Sequence, residues 1–304
     1  MLGRFIPEMP PATPAVATAA PEPLAKQPAE PGAVQPSAPA KVTVAEVEPS
    51  PLPAWRRNAV AVNADPDAPW IAIVIDDVGL NRANSERAAR LPGPLTLAYL
   101  PYAAGLDAQT ADARAAGHEL LVHVPMEPES ATEDPGPNAL RTALDASEIA
   151  DRLDWALNRF EGYVGISNHM GSRFTADAAA MTTVLEALRA RGLMFLDSRT
   201  SARTRGRGVA LALELPFLER DVFLDNELSA SAIGRQLDLA ESVARRQGHA
   251  IAIGHPHTVT LDVLERWLPQ LSGRGLVLVP VAAIVARRLA SEQGLDGPLV
   301  HLDP

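Results

Sequence analysis

The strongest constraint on the fold is a regular alternation of short apolar runs with amphipathic stretches over residues 70–290. Continuous apolar runs of this length are typical of strands that are buried on both faces of a parallel sheet. We predict strands at 71–75, 95–99, 119–124, 163–166, 193–196, 221–224, 250–253 and 276–279. Between them, apolar residues recur with helical period in the segments 146–160, 176–191, 231–247 and 259–271.

Local signals mark the ends of two of these helices. Asp145 and Glu148 have the spacing of a capping box, and Gly192 stands where a left-handed C-terminal cap belongs. Repeated strand–helix units predict an α/β fold around a parallel sheet, either a distorted (β/α)7–8 barrel or an open doubly wound sheet. Because no glycine-rich phosphate-binding turn follows any predicted strand, we favour the barrel.

The chain divides into three regions by composition. Of its 28 prolines, 15 precede residue 70, in a segment rich in Pro, Ala, Glu and Val without sustained periodicity. Such a segment buries too little apolar surface to offset the entropy of ordering it. We therefore predict a disordered Pro/Ala-rich tether at 1–69, a barrel domain at 70–290 and a C-terminal tail at 291–304.

Charge and residue content exclude several classes of function. The formal net charge of −10 argues against nucleic acid as a partner, and the absence of cysteine removes disulfides and thiolate ligands. The sequence contains no run of 18 apolar residues, so it predicts no membrane-spanning helix. The first ten residues lack the apolar core of a signal peptide. A proline-rich tether often follows a membrane anchor, so an anchor upstream of the given start remains an open alternative.

Polar residues collect where the predicted strands end. In a barrel or an open α/β sheet these carboxyl ends meet at one rim, which is where the chemistry of such folds is located. The residues at the ends are Asp76, Asp77, His123, Glu127, Asn168, His169, Ser172, Asp197, Ser198, Arg199, Asp225, His255 and His257.

An aspartate and two histidines from separate strand ends form a suitable ligand set for a divalent metal such as zinc. A second carboxylate could then hold a water molecule, and a histidine on the opposite rim could protonate a leaving group. Each of these residues also has a structural alternative. Asp76 and Asp77 suit a turn or a helix cap, His123 and His169 could bond backbone groups, and His255 could serve only the turn at Pro256.

Five strings, in this order, resemble the divergent polysaccharide deacetylase family, a relative of the NodB-type carbohydrate esterases. They are IAIVIDDVGLN, AGHELLVHVPMEP, GPNAL, GYVGISNHMGSRFT and FLDSRT. The resemblance covers nearly all of the chain from Trp70 to about residue 290 and leaves out the tether. It implies a distorted (β/α) barrel and a metal-dependent removal of acetyl groups from N-acetylated sugars of a cell-envelope polymer.

The resemblance also implies roles for particular residues. By position, Asp76 matches the general base of the better-known relatives, and Asp77 matches their metal-binding aspartate. His123 matches the first metal histidine, Asp197 an acid that supports catalysis, and His255 the late histidine that acts as general acid.

The chain departs from the relatives at two places. Their second metal histidine follows the first by four residues, where this chain has Glu127, and Pro125 disfavours a helix there. Their Arg-Pro-Pro-Tyr-like string is replaced by SNHMGS at the fourth strand end. We infer that His169 takes the place of the missing ligand, with Glu127 as the competing third ligand.

The sequence thus predicts a metal-dependent amide hydrolase, with a divalent metal, zinc by preference, as cofactor. The expected partner is an N-acetylated polysaccharide or peptidoglycan, and the expected location is the periplasm or cell envelope. Two alternatives stay open. The barrel could bind an envelope glycan or a partner protein without catalysis, or it could hydrolyse esters or phosphoesters.

Overall fold

The computed structural model describes residues 52–292. Its strands are β1 (Trp70–Val78), β2 (Thr96–Tyr99), β3 (Glu119–Met126), β4 (Gly165–Met170), β5 (Met194–Asp197), β6 (Phe217–Glu219), β7 (Val222–Phe223), β8 (His249–Gly254) and β9 (Val277–Leu278). Its α-helices are α1 (Ala54–Arg57), α2 (Arg82–Ala88), α3 (Leu106–Ala115), α4 (Ala146–Leu157), α5 (Ala178–Ala190), α6 (Gly206–Ala212), α7 (Ala230–Gln247), α8 (Thr258–Trp267) and α9 (Val281–Glu292).

All strand pairs are parallel, and eight strands follow one another in the order β6-β5-β4-β3-β2-β1-β8-β7. Strand β9 pairs with the first two residues of β1, whereas β2 pairs with β1 from Val74 onward. The two outermost strands, β6 and β7, are separated in the chain by two residues alone, Arg220 and Asp221. The sheet is therefore curled into the predicted distorted (β/α) barrel, and the chain itself joins its two edges.

Two apolar cores explain why the strands are almost continuously hydrophobic. Alternate residues such as Ala72, Val74 and Leu196 point into the barrel, while their neighbours Ile73 and Phe195 pack against the surrounding helices. Each strand therefore buries both of its faces, which removes the polar alternation of a solvent-facing sheet. This arrangement leaves the strand ends as the natural place for polar side chains.

The amino-terminal end of the barrel is closed by the two terminal helices. Helix α9 contributes Ile284 to the interior core, and its first amides donate hydrogen bonds to side chains of the barrel strands. Glu119 Oε1 accepts a 3.1 Å hydrogen bond from the Ala282 amide, and Thr96 Oγ1 accepts one of 3.2 Å from that of Val281. Burial raises the pKa of Glu119 to about 7. The carboxyl ends of the strands therefore lie at the opposite end of the barrel, away from these two helices.

The predicted start of the folded region at residue 70 is wrong. Trp55 in α1 is 3% exposed and packs into the interior core, and its amide donates to the Gly192 carbonyl at 2.9 Å. The Asn58 side chain donates to the Tyr163 carbonyl at 2.7 Å. A single tryptophan on a four-residue helix has no periodicity, so the sequence pattern could not reveal it. The rest of the predicted tether, 1–51, and residues 293–304 of the tail lie outside the described residues.

The eight predicted strands are all present, with shifted ends. Strand β6 was missed because Pro216 and Glu219 interrupt its short apolar run. The fourth strand is longer than predicted, since it continues through the polar residues Ser167, Asn168 and His169. The capping box of Asp145 and the left-handed cap at Gly192 are confirmed. Within residues 52–292, no helix has the length and hydrophobicity that crossing a bilayer requires.

The packing of Trp55 predicts a large loss of stability on truncation. Trp55→Ala should lower the free energy of unfolding by about 3–5 kcal/mol, because it empties a buried site at the base of the barrel. Leu52→Ala is the matched control, since Leu52 is 45% exposed and its removal leaves no cavity. Urea unfolding followed by tryptophan-independent circular dichroism measures both. Equal stabilities for the two variants would mean that α1 is not part of the folded unit.

Candidate metal and catalytic site

Two consecutive carboxylates at the end of β1 point into the mouth of the barrel. Consecutive side chains of a regular strand face opposite sides, but here the pairing register of β1 with β2 shifts between Ile75 and Val78. Asp77 adopts a left-handed φ of +58° and Gly79 a φ of +117°. A Cβ at Gly79 would lie 2.7 Å from that of Ala103, so this turn requires glycine. The irregular backbone brings both carboxylates to one side.

The two histidines predicted as ligands meet Asp77. His123 lies in β3 and His169 in the neighbouring β4. Asp77 Oδ1 is 3.2 Å from His123 Nε2 and 2.7 Å from His169 Nδ1. The other ring nitrogen of His123, Nδ1, is 2.7 Å from Ser167 Oγ, an outer contact of the kind that fixes the orientation of metal-binding histidines.

The donor set fits a divalent cation. One ligand atom from each of Asp77, His123 and His169 lies within 4.8 Å of the others. Asp76 Oδ1 is buried and accepts no hydrogen bond from the described residues. Asp77 Oδ1 is also buried, and the groups beside it are the two imidazole nitrogens, which do not meet it with full hydrogen-bond geometry. Burial raises the pKa of Asp77, but the two imidazoles outweigh this effect and hold the pKa well below its usual range. A cation among two imidazoles and an ionised carboxylate would supply the missing partner for these oxygens.

Asp76 lies behind this set and is 2% exposed. Its Oδ1 is 3.7 Å from His123 Nδ1, and its Oδ2 accepts a 3.0 Å hydrogen bond from Ser198 Oγ. Burial raises the pKa of Asp76, and the neighbouring His123 ring opposes that rise. A carboxylate of raised pKa beside a ligand set has the properties of a general base.

His255 faces the ligand set from the end of β8, with its Nε2 3.9 Å from Asp77 Oδ2. Its Nδ1 is 3.0 Å from Asp225 Oδ1. Burial lowers the pKa of His255, but the hydrogen bond and charge of Asp225 outweigh it and raise the pKa to about 9. His255 is therefore a cation at neutral pH, with the proton that a general acid needs.

Asp225, His255 and His257 also have ligand atoms within 4.8 Å of one another. However, Asp225 Oδ2 already accepts hydrogen bonds from the His255 amide at 2.7 Å and from Thr260 Oγ1 at 2.9 Å. Its Oδ1 is taken by the His255 ring. Because both oxygens have partners, we assign Asp225 to orienting His255 and not to a second metal.

Glu127, the competing third ligand, is used elsewhere. Its Oε2 accepts hydrogen bonds from the amide and hydroxyl of Thr142, at 2.7 Å and 2.9 Å, and its Oε1 lies 3.5 Å from Arg173 Nε. These contacts tie the loop after β3 to the segment before α4. The geometry therefore favours His169 over Glu127 as the third ligand.

Asp197 does not join the cluster, so the role given to it by position needs correction. Its Oδ1 accepts from the Arg199 amide at 2.8 Å and its Oδ2 from Thr204 Oγ1 at 2.6 Å. The cause is strand parity. Phe195 packs on the helix layer and Leu196 on the barrel interior, so Asp197 faces outward and Ser198 inward. Ser198, which the sequence places at the same strand end without a role, is the residue that faces the site, and the same parity could have assigned it.

His255 should make the stability of the metal-free protein depend on pH. Its pKa rises from about 6.5 in an unfolded chain to about 9 in the folded protein. Its contribution is therefore complete below the unfolded value and is lost as the pH rises through the folded value. Between about pH 6 and about pH 10, the difference in unfolding free energy between wild type and His255→Gln should shrink by up to about 3 kcal/mol.

Urea unfolding of the metal-free proteins measures this difference. Any contribution from Glu119 cancels, because both proteins contain it. With Asp225→Asn as the background, the difference should change less with pH, since Asp225 contributes most to the raised pKa of His255 and only the weaker effects of Asp77 and Asp76 remain. A difference that stays constant with pH in the unmodified background would show that Asp225 does not hold His255 protonated.

Known proteins with this sequence pattern and fold place the chain among its relatives. It is 37% identical to an uncharacterized protein of Haemophilus influenzae (strain Rd) over 203 residues, which cover 66% of this chain and 71% of that one. It is 36% identical to the uncharacterized protein YibQ of Escherichia coli K12 over 223 residues, which cover 71% and 70% of the two chains.

A solved structure supports the same relationship. The uncharacterized protein ATU2773 from Agrobacterium tumefaciens C58 is 33% identical, with a TM-score of 0.75, and the match covers 77% of this chain and 95% of that one. The family model described as divergent polysaccharide deacetylase matches residues 73–285, a range that contains the whole site. The chain belongs to the divergent polysaccharide deacetylase family.

Proposed function

We propose that this protein is a metal-dependent hydrolase that removes N-acetyl groups from a cell-envelope polysaccharide such as peptidoglycan. The observation that carries the proposal is the convergence of Asp77, His123 and His169 at one point, with Asp76 behind them and His255 opposite. These are the parts that amide hydrolysis needs: a ligand set, a base and an acid. The envelope location follows from the substrate class and is part of the same proposal.

The side chains of the mouth divide the chemistry between them. When bound, a divalent cation, zinc by preference, supplies Lewis-acid polarisation of the acetyl carbonyl and of the attacking water. Asp76 Oδ1, which accepts no hydrogen bond from the described part of the chain, is available to hold that water and to take its proton. His255 gives a proton to the departing amine, and Asp225 keeps the imidazole oriented for that transfer. Ser198 and Ser167 hold Asp76 and His123 in place.

An acid opposite the base is needed because the departing amine must receive a proton. An amide nitrogen leaves only when it is protonated, and Asp225 raises the pKa of His255, which favours the protonated imidazole that supplies this proton. General acid–base groups of this kind each contribute roughly 10²- to 10⁴-fold to the rate.

The ligand assignment predicts how metal affinity responds to substitution. Asp77→Asn, His123→Ala and His169→Ala should each weaken zinc binding by at least about 100-fold, because even outer contacts of a metal site are worth about 10- to 100-fold. Glu127→Gln should bind zinc as the wild type does. Elemental analysis after dialysis and titration calorimetry measure these affinities. Loss of zinc in Glu127→Gln together with its retention in His169→Ala would reverse the choice of third ligand.

The assignment of base and acid predicts the loss of acetate release. Asp76→Asn and His255→Ala should lower kcat on N-acetylglucosamine oligomers or peptidoglycan by roughly 10²- to 10⁴-fold, while both retain zinc. Asp107→Asn, an exposed aspartate on α3, is the matched control and should keep wild-type activity. Acetate is measured directly by a coupled assay.

Two results would contradict the proposal in different ways. If Asp76→Asn and His255→Ala released acetate at the wild-type rate, the roles of base and acid would be misassigned. If the wild-type protein bound zinc tightly and bound the glycan, but released no acetate from either substrate, the barrel would be a binding module without catalysis.

A further inference from the structure

The barrel is closed at a seam where the chain passes from one edge of the sheet to the other. The Arg220 amide donates to the Asp197 carbonyl of β5 at 3.0 Å, and the next amide, of Asp221, donates to the Ile251 carbonyl of β8 at 2.9 Å. Successive residues therefore bond strands at opposite edges. Since β6 pairs with β5 alone and β7 with β8 alone among the described strands, backbone ladders do not fix the distance across this seam.

The side chain of Arg220 spans both sides of the seam. On the β5 side its Nε donates to the Ser198 carbonyl at 2.8 Å and its Nη2 to the Arg199 carbonyl at 2.9 Å. On the β7 side its guanidinium lies over the ring of Phe223, 5.0 Å from the centroid. A planar guanidinium can donate two parallel hydrogen bonds and stack on a ring at the same time, which a lysine ammonium cannot do.

Each side of this contact leads to one of the two proposed proton-transfer groups. Ser198, whose carbonyl Arg220 binds, donates from its hydroxyl to Asp76 Oδ2 at 3.0 Å, and its amide donates to Asn168 Oδ1 at 2.9 Å. Phe223, on which Arg220 stacks, meets the His255 ring edge-on with centroids 5.5 Å apart. One half-buried side chain therefore contacts the direct neighbours of both groups.

We propose that Arg220 is a positioning residue that fixes the relative placement of Asp76 and His255 across the barrel seam. It acts through Ser198 on one side and through Phe223 on the other, and it does not itself touch the ligand set. This inference rests on the proposed function, because the relative placement of Asp76 and His255 matters only if the base and the acid act on one substrate. It explains why a half-buried arginine lies beside Ser198 although it has no carboxylate partner within 4.0 Å in the described residues.

Kinetics of substituted proteins test the proposal. Arg220→Gln should lower kcat for acetate release by roughly 100-fold, since displacements of about 1 Å at a reacting centre cost that much. KM and zinc affinity should stay within about twofold, because the ligand set is left intact. Arg220→Lys should recover little, since it cannot bind both carbonyls and stack. Ser198→Ala should lower kcat through Asp76 alone, because it removes the hydroxyl that donates to Asp76 Oδ2. Ser198→Thr keeps a hydroxyl and should restore kcat.

Arg288→Gln is the matched control. Arg288 also donates to a carbonyl of β6, that of Phe217 at 3.3 Å, but at the amino-terminal end of the strand, away from the mouth. It should lose stability to a similar extent while keeping kcat. If Arg288→Gln and Arg220→Gln lowered kcat equally, or if Arg220→Gln retained it, the positioning role would be overturned.

A second readout does not depend on activity and separates this inference from the proposed function. The rings of Phe223 and His255 are nearly perpendicular, with centroids 5.5 Å apart, so the NMR resonances of the His255 ring protons carry a ring-current shift from Phe223. Arg220→Gln should move these resonances and Arg288→Gln should not. If wild type releases no acetate, the proposed function fails, and the resonances still decide the matter. Unmoved His255 resonances in Arg220→Gln would contradict the role of Arg220.

Discussion

The site depends on the compensation of two adjacent carboxylates at the end of β1, of which Asp76 is buried and Asp77 is partly buried. Ionised carboxylates are costly to bury unless positive charge or hydrogen-bond donors meet them. Here the imidazoles of His123 and His169 surround Asp77, and Ser198 meets Asp76 from the far side of the barrel. The rest of the mouth can be understood as what is needed to bring these partners to β1 from the ends of three other strands.

That assembly is possible because each strand is buried on both faces. A strand locked between an interior core and a helix layer holds its last residue in a fixed position, so imidazoles and carboxylates meet without support from long loops. The exceptions are the bulge at Asp77 and the seam at Arg220. At both places the regular ladder is interrupted, and at both the interruption serves to turn a functional side chain. Irregular backbone of this kind is often concentrated at functional sites.

Most of the fold and much of the site could be predicted from the sequence, because burial on both faces leaves a simple hydrophobic pattern. The polar residues that follow each run then identify the mouth, as Asp77, His123 and His169 demonstrate. The predictions that failed concern features that depend on individual side-chain contacts and not on the hydrophobic pattern. The packing of Trp55 depends on one side chain, and the outward direction of Asp197 depends on where β5 begins to alternate. Arg220 could not be found from sequence, since its partners are backbone carbonyls of a distant strand end.

The packing of both terminal helices at one end of the barrel has a practical consequence. The Trp55 amide donates to the Gly192 carbonyl, two residues before β5, and Arg287 in α9 donates to the Gly248 carbonyl just before β8 at 2.6 Å. The polypeptide thus enters and leaves the described barrel on its closed face. A support, a fusion partner or a surface attached through either of these helices would leave the opening unobstructed, so that a long polymer could pass across it without meeting the attachment.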